Sequence, residues 1–320
     1  MSAISNTATT LTTKGIREDL ENNIYRVAAS KTPFTKNIGS SGKATSTYHE
    51  WQTETLAAPS ASNYQLEGDD LGSTFGAENV TTRVGNYCQI FRKSGIVSAT
   101  DDVVKKAGRS SELNRQKVLK GIELATDIEM TMLANGVSGQ ESGATPRKCA
   151  GLPAWISTNT SFGSGGSAGG FSAGVVSAAT AGTNRTFTEA LVKSVRTTAF
   201  GNGATPSQVY MSGTNKQQFS AFTGIASIRV DASPREQATI IGAADVYQDD
   251  YGRLSLIPHQ YAVANMALFV DPEMVGVATL RGMTTEALAK TGDAEKFMIV
   301  AEKTLVVKNQ RACAAIFALT

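Results

Sequence analysis

The side chains in this sequence with the means to do chemistry are two histidines, three cysteines and three aspartate pairs. A metal centre needs His, Cys or carboxylate ligands at short spacing, and neither His49 nor His259 has such a partner nearby. Both lie in or beside strand-like runs and read as ordinary polar or half-buried side chains. Cys88, Cys149 and Cys313 are odd in number, far apart and without a CxxC. That pattern suggests neither a disulfide framework nor a zinc site and fits a reducing compartment. Asp69 and Asp70, and likewise Asp249 and Asp250, sit in turn-like stretches where Asp is common for backbone reasons, while Asp101 and Asp102 are placed to cap a short helix. A general acid needs a raised pKa, and turn carboxylates are usually solvated. The tract from Gly163 to Gly170, GSGGSAGG, mimics part of a dinucleotide loop but has no strand before it and no helix opening after it. With no HExxH or Walker sequence, the expectation is a protein that is not an enzyme and uses no cofactor or metal.

The balance of the composition points the same way. Charged residues make up 18% of the 320 positions, below the roughly 25% of ordinary soluble domains, while 41% are hydrophobic. So uncharged a surface suits a subunit that buries much of itself against neighbours. The length suggests about two domains. The formal net charge of +2, from 30 basic and 28 acidic residues, gives no reason to expect tight phosphate binding. The first residues lack the basic start and apolar core of a signal peptide, and no run approaches the length of a membrane helix. A soluble protein made in a cytoplasm, with no membrane partner, is expected.

Residues 1–42 are rich in Ser, Thr and Asn and read as an arm, with a helical patch from Ile16 to Ala29 where Ile16, Leu20, Ile24 and Val27 recur at helical spacing. Lys43 to Thr55 alternates as a strand, with Tyr48 and Glu50 on one face and His49 and Trp51 on the other. After a turn-rich stretch, Val80, Thr82, Val84, Tyr87, Ile90 and Phe91 resume β character. Together these segments predict one long hairpin with sparse apolar residues, and an isolated hairpin is marginal in water. Something else must cover it.

Ser110 to Asn135 predicts a helix of about 25 residues, roughly 40 Å long at 1.5 Å per residue. Val118, Ile122, Ala125, Ile128 and Met132 would fall near one face, with Ser110 or Ser111 as the N-cap and Gly136 at the end. Ser157 to Asn184 reads as a surface loop, and Thr186 with Glu189 as a capping box before the next helix. SQVYMSG reads as a strand, followed by a short helix from Asn215 to Phe222. The last 80 residues give a hairpin turned at Asp249 to Gly252, then the strands ALFVD, GVATL, FMIVAEKTLVVKN and ACAAIFAL. Runs of strands set apart from a few helices argue for an α+β fold.

This order of parts resembles the tailed-bacteriophage major capsid proteins of the Hong Kong-type fold. The segments IREDLENNIYRVAASKTPFTKNIG, YHEWQTETLAAPSASNYQLEGDD and LRGMTTEALAKTGDAEKFMIVAEKTLVVKNQRACAAIFAL are similar to the family named for the phage SU ten major head protein. The resemblance implies an N-terminal arm at 1–42, an extended loop at 43–97, a P-domain at 98–199 and 261–320 with its spine helix at 110–135, and an A-domain at 200–260. It implies a shell of hexamers and pentamers around a double-stranded DNA genome, in the virion capsid, assembled in the host bacterial cytoplasm. The partners it implies are the chain itself, a portal protein, packaged DNA held non-specifically and a decoration protein. A separate scaffolding protein is also expected, because the chain has no room for the cleaved scaffolding extension of some relatives; no subunit cross-link is expected.

For contacts between subunits, acidic Glu67, Asp69 and Asp70 of the loop are candidates to pair with Arg92, Lys93, Lys105 or Lys106 of a neighbour. Tyr48 and Trp51 are candidate aromatic anchors, with packing inside the hairpin base as the equal alternative. A cargo-loading nanocompartment of the same fold, a phage tail-tube or decoration protein, and an enzyme with an unrecognised site are the competing readings. The long helix argues against the tail-tube reading.

Overall fold

A computed structural model of the chain describes residues 31–70, 75–76, 78–222, 245–262 and 264–320. The expected arm helix from Ile16 to Ala29, and the stretch 223–244 of the expected A-domain, lie outside the described residues. In chain order the elements begin with helix α1 (Pro33–Ile38) and strands β1 (Ser40–Lys43), β2 (Tyr48–Thr53), β3 (Thr82–Tyr87) and β4 (Gln89–Ser98). Helices α2 (Ala99–Val103), α3 (Glu112–Leu133) and α4 (Leu152–Trp155) follow, then strands β5 (Thr160–Ser161), β6 (Gly170–Ser172) and β7 (Val175–Ser177). Next come helix α5 (Glu189–Gly201), strand β8 (Gln208–Met211) and helix α6 (Gly213–Ser220). The remaining strands are β9 (Val246–Asp249), β10 (Gly252–Pro258), β11 (Ala267–Val270), β12 (Val275–Leu288), β13 (Ala294–Val307) and β14 (Ala314–Ile316).

Helix α3 is the expected spine, shorter at each end than the sequence suggests. Ser111 caps it by accepting the Asn114 N–H at 3.2 Å. Asp102 supports the cap by accepting from Glu112 N at 2.8 Å, Leu113 N at 3.1 Å and Ser111 Oγ at 3.1 Å. The expected end at Gly136 is not reached, because Ala134 is already extended and the Asn135 side chain pairs with Ala179 N and O, drawing the chain away. At about 1.5 Å per residue its 22 residues span roughly 33 Å. The buried stripe is Leu124, Ile128, Met132 and Leu133 with Glu129 among them, whereas Val118, expected on the core face, is 64% exposed.

That stripe packs on a four-stranded sheet ordered β1-β12-β13-β4, where Phe91, Val97, Phe297, Ile299 and Ala301 share the core with it or lie beside it. The Phe297 ring covers Gly95, where a Cβ would stand 2.5 Å from it, so any larger residue at 95 would displace the ring. The expected single hairpin is therefore two structures. β2 and β3 pair antiparallel from Tyr48↔Tyr87 to Thr53↔Thr82, while β4 leaves them and pairs with β13 from Gln89↔Lys303 to Ser98↔Ala294. The break falls at buried Cys88, beyond which Phe91 and Val97 alternate onto the spine helix. The strand expected over Lys43 to Thr55 likewise divides into β1 and β2.

A second sheet, ordered β5-β14-β11-β8-β10-β9, is buried on both faces. Tyr210, Leu268, Val270 and Ala315 point into the core shared with the spine, and Val209, Met211, Ala267, Phe269, Ala314 and Ile316 point into a second core beneath α5 and α6. Successive strand residues face opposite sides, so one wall serves both cores. β8 pairs parallel with β10 and antiparallel with β11, so strands from both sides of the expected boundary at 260 share this wall. The hairpin turned at Asp249 to Gly252 forms as expected.

The glycine tract is not a simple surface loop. Ser167 bridges Thr180, β6 pairs with β7, and Gly163, Gly166 and Gly169 lie so close to other backbone that a Cβ would meet a backbone atom at 2.0, 2.8 and 2.2 Å respectively. The tract is glycine-rich because two chain segments touch there. The expected Thr186 cap is also displaced: Thr188 is the N-cap of α5, without a side-chain bond, and Phe187 is drawn into the second core.

Two glycine substitutions should therefore act in opposite directions. Gly163→Ala is expected to destabilise by about 1–3 kcal/mol, whereas Gly121→Ala, in the spine helix where an added Cβ meets nothing within 4 Å, should stabilise by about 0.5–1 kcal/mol. Chemical denaturation of each variant checks both signs.

Candidate subunit interface

The base of the β2–β3 hairpin is bolted to its own subunit. Trp51 donates from Nε1 to Val307 O at 2.9 Å and packs on Trp155 with ring centroids 5.4 Å apart, and Trp155 in turn stacks on Phe171 at 5.9 Å. Tyr48 donates to Gly174 O at 3.1 Å and packs against Tyr87 at 4.6 Å. Both aromatic candidates are thus engaged in packing at the hairpin base. Asn86, wholly buried, is the bolt that the sequence did not single out. Its Nδ2 donates to Ala150 O at 3.2 Å and Leu305 O at 3.0 Å, and its Oδ1 accepts from Ala150 N and Tyr87 N at 3.0 Å each.

Beyond Thr53 the chain runs out from this base. Leu56, Tyr64, Leu66 and Phe75 are each more than 75% exposed, and Glu67, Asp69 and Asp70 are exposed with them. Residues 54–79 carry five acidic side chains and no basic one. Apolar side chains in such a row lower the free energy of a subunit only when another surface covers them.

The basic candidates divide by face. Lys93 pairs with Asp127 of the spine at 2.7 Å, and Lys106 pairs with Asp101 at 2.9 Å. Lys105 is exposed after α2, beside Val103 and Val104, themselves 83% and 56% exposed. Arg92 alternates with Phe91 and so points away from the spine helix, on the outer sheet face with Ile90 and Ile96. The register brings Met298, Lys296 and Leu288 onto that same outer face. The farther edge of β12 is paired by β1 only at Val277 and Thr279 among the described residues, leaving Arg281 to Leu288 as an open, exposed strand edge.

No group of His, Cys, Asp and Glu among the described residues is arranged to hold a metal ion. Burial pushes the thiols up, Cys88 to about 11 and Cys313 to about 12, so neither supplies a thiolate at neutral pH. Asp249 is not a solvated turn carboxylate: Arg196 binds it at 2.7 and 2.9 Å, both side chains nearly excluded from water. Burial pushes Asp249 up, but the Arg196 bonds outweigh it and hold the carboxyl below its usual range. His259 is buried rather than half-exposed, and its partner is Glu129 of the spine at 2.8 Å, 130 residues away in sequence. No local spacing could reveal that pair.

Comparison with known proteins adds the following. The profile of the family described as SU10 major capsid protein matches residues 3–320. A curated major capsid protein of Escherichia phage Phieco32 is 33% identical over 103 residues, a match covering 32% of this chain and 28% of that protein. The fold is similar to a solved Cyanophage A-1(L) capsid asymmetric unit, with TM-score 0.64, 11% identity and 98% of each chain covered. It is similar also to a Mycobacterium phage Bobi structure, with TM-score 0.60, 13% identity, and 95% of this chain and 96% of that one covered. These likenesses identify the Hong Kong-type capsid fold.

Removing the bolt should cost more than removing one strap of the hairpin. Asn86→Leu removes the bonds that Asn86 makes to backbone groups of Ala150, Tyr87 and Leu305 and should cost on the order of 3 kcal/mol. Tyr48→Phe loses a single bond to Gly174 and should cost about 1 kcal/mol. Denaturant unfolding of the two variants gives the comparison.

Proposed function

This chain belongs to the SU10 major capsid protein family, and from that premise we propose that its copies close into an icosahedral shell around a double-stranded DNA genome. The observation that carries the reading is that the described residues of segment 54–79 are exposed, with the large apolar side chains of Leu56, Tyr64, Leu66 and Phe75 among them, on a hairpin whose base is packed within the subunit. A neighbouring copy supplies the missing cover. The acidic segment of one subunit lies across the outer face of β4 and β13 of the next, where Arg92 and Lys296 stand among Ile90, Ile96 and Met298.

Assembly of this kind needs no strong single contact. Interfaces of about 1,000 Å² or more with each neighbour sum to a closed shell. Exposed ion pairs at about 0–1 kcal/mol each tune it by repetition. The arm at 1–42, extended loop at 43–97, P-domain at 98–199 and 261–320 and A-domain at 200–260 are proposed as roles in assembly rather than as separate cores, since one sheet spans the last two. Hexamers and pentamers, a portal protein, a separate scaffolding protein, a decoration protein and DNA held without sequence preference complete the proposed partnership. The near-balanced charge of +2 suits a wall that does not grip its contents.

The test is to express the chain with and without a candidate scaffolding protein and examine it by size exclusion and negative-stain electron microscopy. Closed particles or rings of subunits are expected; a stable monomer under every condition contradicts the proposal. Asp69→Lys with Asp70→Lys should lower particle yield and salt tolerance, and adding Arg92→Glu should restore part of the loss. Unchanged yield in the charge-reversed variant rejects the proposed pairing.

A further inference from the structure

Glu129 sits on the buried face of α3 with its carboxylate wholly excluded from solvent. Three donors from two distant parts of the chain meet it. Phe34 N reaches Oε1 at 2.6 Å and Thr35 N reaches Oε2 at 2.9 Å, both from the first turn of α1. His259, immediately after β10, places Nε2 2.8 Å from Oε1, and its Nδ1 accepts the Tyr261 N–H at 3.0 Å. That second bond puts the proton of the neutral ring on Nε2, facing the carboxylate. Among the described residues no lysine or arginine forms an ion pair with Glu129.

This arrangement favours an ionised carboxylate. The two backbone N–H groups and the His259 Nε2–H can only donate, and the Thr35 hydroxyl bonds the carboxylate as well, so a protonated carboxyl keeps fewer of these bonds than an ionised one. The segment so held is fastened elsewhere as well. Asn37 donates to Tyr210 Oη at 3.0 Å, Phe34 and Ile38 insert into the core, and β1 meets β12 at two register positions. A groove of about 450 Å³, lined by Thr35, Ala125, Ile128, Val277 and Met283, separates this strap from the helix and sheet behind it.

We infer that Glu129 is a charge-dependent latch: ionised, it fastens the strap from Thr32 to Lys43 onto the spine helix, and neutralised, it releases the strap while both sheets stay folded. The groups gathered round it are His259, Tyr261, the Tyr210 phenol on β8, and Lys36 and Lys303 across the groove. Burial pushes Tyr210 up to about 12, so it remains a neutral donor or acceptor throughout the range in question. Burial also pushes Glu129 up, but the bonds from His259, Thr35 and Phe34 outweigh it and hold the carboxyl below the ordinary range. A depressed folded value means that the latch is complete above the ordinary Glu value of about 4.3 and opens as pH falls through the folded one. Local opening of a peripheral segment ahead of the cores is the expected order.

A nitroxide spin label on Lys36→Cys reads the strap directly in the full-length chain before assembly, because Lys36 is exposed while Cys88, Cys149 and Cys313 are buried. The label is expected to be immobilised at neutral pH and to become mobile only as pH falls below the ordinary Glu range, with the near-ultraviolet circular dichroism of Trp51 and Trp155 unchanged. Glu129→Gln should lose the immobile component at every pH. His259→Phe keeps the carboxylate but removes one donor, and should shift the transition upward by about one pH unit. A Glu129→Gln label as immobile as the parent overturns the inference. So does a His259→Phe transition that does not move, or release that occurs only with loss of the dichroism signal. Should the Gln variant not fold, the His259→Phe shift decides alone.

Discussion

Strand β13 is the element to which the rest of the described chain is fastened. It is hydrogen-bonded on both sides, to β12 from Lys296 to Val307 and to β4 from Ala294 to Lys303, and from Ile299 to Val307 only Lys303 is more than slightly exposed. Its backbone also supplies the fixed points for distant parts: Val307 O holds Trp51, Leu305 O holds Asn86, and Leu305 N meets the Cys149 thiol. Glu302 on the same strand gathers Arg147 at 2.7 Å and Arg281 at 2.9 Å. A strand with no free edge and little water on either face cannot shift register without exposing the whole set. The hairpin base, the spine helix and the irregular stretch after it therefore hold their positions together.

From that fixed strand the surface divides into parts completed within the subunit and parts left open. The six-stranded wall has cores on both faces. The described residues of segment 54–79, the outer face carrying Ile90 and Ile96, and the edge of β12 from Arg281 to Leu288 are the opposite case. A monomer would normally blunt such features with charge, yet charged residues are only 18% of the chain. The low charge and the open surfaces have one explanation in a molecule whose remaining contacts come from copies of itself.

The elements with a strong local period were legible from the sequence. The spine helix, the strand SQVYMSG, the Asp249 to Gly252 hairpin and the strands closing the chain follow from spacing and turn residues that act over a few positions. What was missed depends on partners far away. Nothing near Cys88 says that β4 abandons the hairpin for β13, and nothing near Glu129 announces His259 or the strap. The glycine tract read as a loop because composition does not reveal that two backbones touch there. Among the interface candidates, Glu67, Asp69, Asp70 and Arg92 are exposed, whereas Lys93, Lys106, Tyr48 and Trp51 have partners within the chain that only the folded chain supplies.

The central claim is that this subunit is an incomplete structure finished by its neighbours. Hydrogen–deuterium exchange of segment 54–79, compared between dissociated subunits and assembled particles, tests it most directly. The account predicts rapid exchange of these amides in the free subunit and strong protection in the particle, with β13 protected in both. Equal, rapid exchange of 54–79 in both states would show that no neighbour covers it and would contradict the account.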